Sequence, residues 1–233
     1  MIPKITPPCE GKVLLHSCCA PCSGAILECL VENGIRPGVF FSNSNITPKE
    51  EYDKRFAELE RYCIKFSLEL FNDDYDHELW LCEAAKGYES APERGARCLN
   101  CFSFRLQRAA RFALENGYSV LATTLASSRW KDLDQVNQAG EKAVAMALAG
   151  VGGYEELAGS EALSGGKLAA SEGLAGPEVA GSVGRSGGKL VWWAQNWRKG
   201  GLQPRRNEII REENFYNQLW CGCEFSRQNK DKQ

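Results

Sequence analysis

Residues 12 to 34 read "KVLLHSCCAPCSGAILECLVENG", and the way this stretch folds decides the fold of the chain. A short apolar run, Val13 to Leu15, gives way at Ser17 to a pattern with helical spacing, in which Ile26, Leu27 and Leu30 fall on one face and Gly34 closes the segment. The change of period predicts a buried strand that turns directly into a helix. Cys18, Cys19 and Cys22 then sit at the helix N-terminus, where the dipole favours thiolate over thiol. A dithiol, a metal site or buried thiols would each fit the turn taken alone.

Outward from this turn the same alternation repeats. "PGVFFSN" precedes "PKEEYDKRFAELERYCIKF", "LELFNDD" precedes "HELWLCEAAKG", and "YSVLATTL" precedes "KDLDQVNQAGEKAVAMAL". Apolar runs alternating with amphipathic helices predict an α/β fold, a parallel sheet with crossover helices. Thr47 is expected as a helix N-cap with Pro48 in the first turn, and Gly117 as a helix-terminating glycine. "NEIIREENFYNQLW", 207 to 220, is also expected to be helical.

The 233 residues suffice for one sizeable core, and a net charge of -2 neither announces nor excludes a nucleic-acid partner. From 150 to 188 the composition shifts to Gly, Ala and Ser, too small to build a core, so these residues are expected to form a flexible insertion. The domain proper is then 1–149 together with 189–233. The first residues carry no basic segment followed by an apolar run, and no stretch approaches the roughly 20 apolar residues of a membrane helix. A cytoplasmic protein with no membrane partner is the expectation. In the reducing cytosol, 11 cysteines, an odd number, point to metal binding or catalysis and away from a disulfide framework.

"CLNC" begins a second amphipathic helix, placing Cys98 and Cys101 at i and i+3 near its N-terminus. In a doubly wound sheet the loops following the strands share one edge, so Cys18 and Cys19 can meet Cys98 and Cys101 there. An adjacent pair plus a CxxC offers four soft ligands, suited to an iron-sulfur cluster or a tetrahedral zinc. Cys221-Gly-Cys223 admits two readings, a strained and easily reduced disulfide or two further metal ligands. Cys9, Cys29, Cys63 and Cys82 lie in loops or on apolar faces and are read as buried free thiols.

These motifs together resemble a known family, the cobalamin-independent epoxyqueuosine reductases QueH. The resemblance rests on "LLHSCCAPCS" (14–23), "NSNITPKEEYDKR" (43–55), "RCLNCFSFRL" (97–106), "TTLASSRWKDLDQVNQAG" (123–140), "WRKGG" (197–201) and "YNQLWCGCEFS" (216–226). It implies a nucleotide α-hydrolase-like (HUP) domain that reduces epoxyqueuosine to queuosine at the wobble position of tRNA. It also implies a 4Fe-4S cluster on Cys18, Cys19, Cys98 and Cys101, and a redox-active pair in Cys221 and Cys223. Cys22 is left between a role at an additional iron and a role in local structure. The stretch from 150 to 188 departs from the family pattern.

The implied partners are tRNA carrying epoxyqueuosine in its anticodon loop and an unidentified electron donor. RNA loops are recognised by splayed bases, aromatic rings and local positive charge. "SRWK" and "WRKGGLQPRR" offer Arg129, Lys131, Arg198, Lys199, Arg205 and Arg206 beside Trp130 and Trp197; solvated charge is the plain alternative. Tyr52 and Arg55, at i and i+3, either orient the substrate or serve packing. Three other functions compete: a structural zinc module, an ATP-using tRNA thiolation enzyme, and a thioredoxin-like oxidoreductase using Cys19 and Cys22. The second lacks a glycine-rich phosphate loop after the first strand; the third leaves Cys98, Cys101, Cys221 and Cys223 without a role.

Overall fold

The structure, a computed structural model, describes residues 2–150 and 189–228. The stretch expected to be an insertion lies, apart from residue 150, outside the described residues, as does the polar tail from 229 onward. Five parallel strands form one sheet in the order β3-β2-β1-β4-β5: β1 Val13–His16, β2 Gly38–Phe41, β3 Leu70–Asn72, β4 Val120–Thr123 and β5 Val191–Trp192. β1, β2 and β4 are buried along their whole length, which explains their near-continuous apolar runs.

Helices α1 (Ala20–Glu32) and α2 (Lys49–Lys65) follow β1 and β2; α4 (Ala96–Glu115) and α5 (Leu133–Leu148) flank β4. α1 packs against α2 and against α6 (Leu202–Glu212), whereas α4 packs against α5, so the sheet is covered on both faces. Gly140 in α5 permits one close contact, since a Cβ there would stand 2.3 Å from the Trp192 ring. The chain leaves β1 toward β2 on one side and later enters β4 on the other. The loops after β1 and β4 therefore part company at a topological switch point, where such folds bind ligands.

Three local expectations are corrected. α2 begins at Lys49 with Pro48 as its extended N-cap, not Thr47, because the chain stays extended through Pro48 (ψ 175°). The helix expected at 207–220 instead runs Leu202–Glu212 and stops where Asn214 takes φ 51°. That turn buries Phe215 against Tyr62, ring centroids 5.1 Å apart, and sends residues 216–223 across the sheet edge. "HELWLCEAAKG" is likewise broken, into the short α3 (His77–Trp80) and a π turn, Leu81–Ala85. A last helix, α7 (Glu224–Gln228), follows the CGC motif.

Candidate metal and redox centre

The turn from β1 into α1 brings Cys18, Cys19 and Cys22 together, their sulfurs all within 4.8 Å of one another. Cys18 and Cys19 Sγ are 3.8 Å apart. Thr124, just after β4, accepts from the Cys18 backbone N–H at 3.1 Å and donates to Cys18 Sγ at 3.4 Å. Hydrogen bonds from Cys19 and Cys22 hold the Cys18 thiol well below its ordinary pKa, while burial and the same contacts push Cys19 up. Cys22 rises to about 11, chiefly through its bond to Cys18, so the triad carries its first negative charge on Cys18. Beneath it, buried His16 bridges Thr123 Oγ1 (2.8 Å) and the Ser42 carbonyl (3.1 Å). The carbonyl only accepts, so Nε2 carries the proton and Thr123 donates to Nδ1.

The second motif opens α4. Cys101 is buried in a small cluster with Trp80, Ala84, Ala85 and Phe104, and Cys223 packs against the same cluster. Burial raises Cys101 to about 11 and Cys223 to about 12, and the charges of Cys221 and its neighbours add to both. Cys98 is also raised by burial, and its sulfur accepts the Arg94 N–H at 3.3 Å.

The C-terminal segment joins the two motifs. Gln218 Nε2 donates to Cys19 Sγ at 2.8 Å, and the Arg55 guanidinium donates to the carbonyls of Cys221 (3.0 Å) and Trp220 (3.5 Å). Thr47 N–H donates to the Gly222 carbonyl at 3.0 Å. Cys221 is exposed and Cys223 half-buried, and all the cysteines are free thiols.

Two cations face this sulfur-rich crevice. Arg105 is buried and spends its guanidinium on the Ser42 carbonyl (3.1 Å) and Asn43 Oδ1; among the described residues no carboxylate pairs with it. Burial works against the charge of Lys131, yet Cys221, Cys18 and Cys22 outweigh it and hold the ammonium above its ordinary pKa. Buried cations need counter-charge, and here the thiol held in its anionic form is Cys18. Soft donors in this number, balanced by two cations, fit a thiolate-ligated iron-sulfur group.

The remaining sequence candidates are placed as follows. Tyr52 is buried, its hydroxyl donating to Asn72 Oδ1 at 2.6 Å and its ring packed on Phe41 and Tyr75. Arg55 is buried in an ion pair with Glu51 (2.6 Å) and clamps the CGC backbone. Arg129 is exposed, over the Trp130 ring. The thiols of Cys9 and Cys29 bond to the carbonyls of Ser119 and Pro3, while Cys63 is buried in α2 and Cys82 exposed. Sequence reasoning missed Gln218, Arg94, Arg105 and Thr124. Arg105 alone left a signal: with Cys98 and Cys101 it forms an i, i+3, i+7 row on one helical face.

A doubly wound α/β protein with a buried thiol triad at its switch-point turn, and a CxxC and a CGC whose Cys101 and Cys223 share a second cluster, belongs, on fold and site alone, among metal- or thiol-dependent redox proteins. The comparisons narrow the class. The family model "Epoxyqueuosine reductase QueH" matches residues 13–151 and 176–229. A curated epoxyqueuosine reductase QueH of Histophilus somni is 36% identical over 223 residues, 96% of this chain and 75% of that protein. The one of Haemophilus influenzae is 35% identical over 96% of this chain and 74% of its own, and that of Thermotoga maritima 29% over 93% and 90%. The chain belongs to the QueH family of epoxyqueuosine reductases, and is an oxidoreductase.

Proposed function

We propose that this protein reduces epoxyqueuosine to queuosine at the wobble position of tRNA, the last step of queuosine biosynthesis, in the cytosol. The domain is of the nucleotide α-hydrolase-like (HUP) type and comprises 1–149 and 189–233, with 150–188 as an insertion; the break in the family match, 152–175, falls within that stretch, while 176–188 still match the family model. Among the described residues no helix is long and apolar enough to cross a membrane.

The observation that carries the reading is the buried triad of Cys18, Cys19 and Cys22 at the switch-point turn, the one group among the described residues whose sulfurs lie close enough to share a metal, with Gln218 of the segment leading into the CGC motif bonded to Cys19. Cys18, Cys19, Cys98 and Cys101 hold a 4Fe-4S cluster, and Cys22, within the triad, serves an additional iron or the local structure. Bound there, the cluster supplies electrons and a Lewis-acidic iron for the epoxide oxygen. Taking the oxygen out as water consumes two electrons and two protons. Oxidation of Cys221 and Cys223 to a disulfide releases the same two electrons and two protons, and an external donor then returns the pair to dithiol. Lys131 keeps a proton and a positive charge beside Cys18, Cys22 and Cys221, and with Arg129 it contacts the tRNA.

Anaerobic reconstitution with iron and sulfide tests the reading. The expected protein is brown, holds about four irons and four sulfides in its cluster, and converts epoxyqueuosine-containing tRNA. Stoichiometric zinc, no labile sulfide and no turnover would instead establish a structural zinc module. Removing 152–175 with a short linker leaves the cluster content unchanged if the division of the chain is right.

A further inference from the structure

We infer that Trp130 is a fixed stacking platform for an unpaired nucleobase of the RNA loop, at the rim of the thiol crevice; this rests on the RNA substrate of the proposed function. Of six tryptophans it alone is exposed, at 68%. Trp80 and Trp197 are fully buried, Trp193 is buried, and Trp192 and Trp220 are half-buried. An exposed indole in a loop is ordinarily mobile, but this loop is pinned on both sides.

Four successive carbonyls are taken by two guanidinium groups. Arg198 Nη2 donates to Ser128 O (2.6 Å) and Lys131 O (2.7 Å). Arg94 donates through Nη2 to Arg129 O (3.3 Å) and through Nε to Trp130 O (2.9 Å). Arg94 is in turn held by Gln135 on its carbonyl (2.8 Å), and its own N–H bonds Cys98 Sγ. The loop is thereby tied to the site it borders. Its neighbouring side chains then diverge: Lys131 faces Cys18, Cys22 and Cys221, while Trp130 faces solvent. Arg94, which holds the Trp130 carbonyl through its side chain, bonds Cys98 Sγ through its own N–H, so the exposed ring borders the thiol crevice.

The surroundings select the occupant. The Arg129 guanidinium lies 4.9 Å from the Trp130 centroid, making a cationic aromatic platform. Arg94 and Arg198 add positive charge, and Asp132, the acid nearest in sequence, spends its carboxylate capping α5 through Asp134 N and Gln135 N. Cations interleaved with an exposed ring suit a phosphate chain with splayed bases, because every base offers a π face.

The test uses anaerobically reconstituted protein and a synthetic anticodon stem-loop RNA with an unmodified wobble guanosine. Trp130→Ala should weaken binding roughly 5- to 150-fold, with iron content and circular dichroism unchanged. Trp130→Phe should restore most of the affinity, and neither variant should alter binding to a fully paired duplex. The salt dependence should stay that of wild type in Trp130→Ala and flatten in Arg129→Gln. Equal affinity of wild type and Trp130→Ala overturns the platform, even where wild type turns over epoxyqueuosine tRNA, as does a loss equal on the duplex. Binding that depends on Trp130 in a protein without turnover rejects the proposed reaction and retains the platform. A wild-type protein that binds no stem-loop rejects both.

Discussion

Gln218 Nε2 donates a hydrogen bond to Cys19 Sγ at 2.8 Å, although the two residues are 199 positions apart. The other end of the carboxamide, Oε1, is buried without a partner among the described residues, so the donor is aimed at the sulfur at some cost to the acceptor. An N–H on a ligand sulfur stabilises the more electron-rich state, and hydrogen bonds to sulfur are among the factors that set cluster potentials. Gln218→Leu should therefore move the midpoint potential of the reconstituted centre to a more negative value with unchanged iron content. Gln218→Glu, which sets a carboxylate beside a thiolate, should lose iron. A spectroscopically monitored redox titration alongside iron analysis reads both; an unmoved potential in Gln218→Leu would show that the bond does not tune the centre.

Gly222 carries φ 131°, a region L side chains rarely adopt. A Cβ there would also lie 2.9 Å from Ile46 Cγ1 and 3.1 Å from Arg55 Nη1, the group that holds the Cys221 carbonyl. Strain of this kind costs on the order of 1–3 kcal/mol, and it falls on the segment between Cys221 and Cys223. Gly222→Ala should loosen that segment, raising the rate at which Cys223 reacts with an alkylating agent and lowering multiple turnover before it lowers the melting temperature. A Cys223 alkylation rate equal to wild type would contradict it.

Glu213 closes the turn after α6 by pairing with Lys65 and, at 3.1 Å, with Arg61 on α2. The hydrogen bond from Lys65, followed by that from Arg61, holds its carboxyl below the ordinary glutamate pKa. A carboxyl depressed in the folded state binds fewer protons than in the unfolded chain, so its contribution is full above about pH 4.3. It is lost as pH falls through the folded value. Both cations are about half exposed, at 49% and 55%, and screening limits the gain to about 1 kcal/mol or less. Glu213→Gln should melt slightly below wild type at pH 7, with the difference vanishing toward pH 3. A gap that widens on acidification would reverse the assignment.

The strand-turn-helix at Cys18, the parallel order of elements and the three cysteine motifs were legible because each is local: a change of period, a glycine stop or a fixed spacing within a few residues. What could not be read is long-range. Nothing in the spacing of "YNQLWCGC" says that Gln218 reaches Cys19, or that Arg55 serves the CGC backbone. Periodicity in "NEIIREENFYNQLW" favoured a helix, but burying Phe215 on Tyr62 and bonding Tyr216 to Glu51 (3.0 Å) took precedence over local propensity. Pro48 could stand either in a helical first turn or just before it, since it has no N–H to lose. The row Cys98, Cys101 and Arg105 makes on α4 was legible in sequence, but not that Arg105 is buried without an acid partner among the described residues while Arg108, one turn on, pairs with Asp73.

Cys221 and Cys223 separate an electron-carrying dithiol from two further ligands, and their surroundings differ accordingly. Cys221 is exposed, so a reductant can reach it, while Cys223 is half-buried against the cluster of Cys101 and Trp80. Burial raises Cys223 to about 12, so as one half of the proposed pair it would release a proton with each electron. The double variant Cys221→Ser, Cys223→Ser should accordingly keep its cluster iron and sulfide while multiple turnover on epoxyqueuosine tRNA falls to background. The oxidised wild type should show two fewer titratable thiols than the reduced protein, and the variant no difference. Loss of iron in step with activity would make the pair ligands; full multiple turnover with both thiols gone would remove them from the electron path altogether.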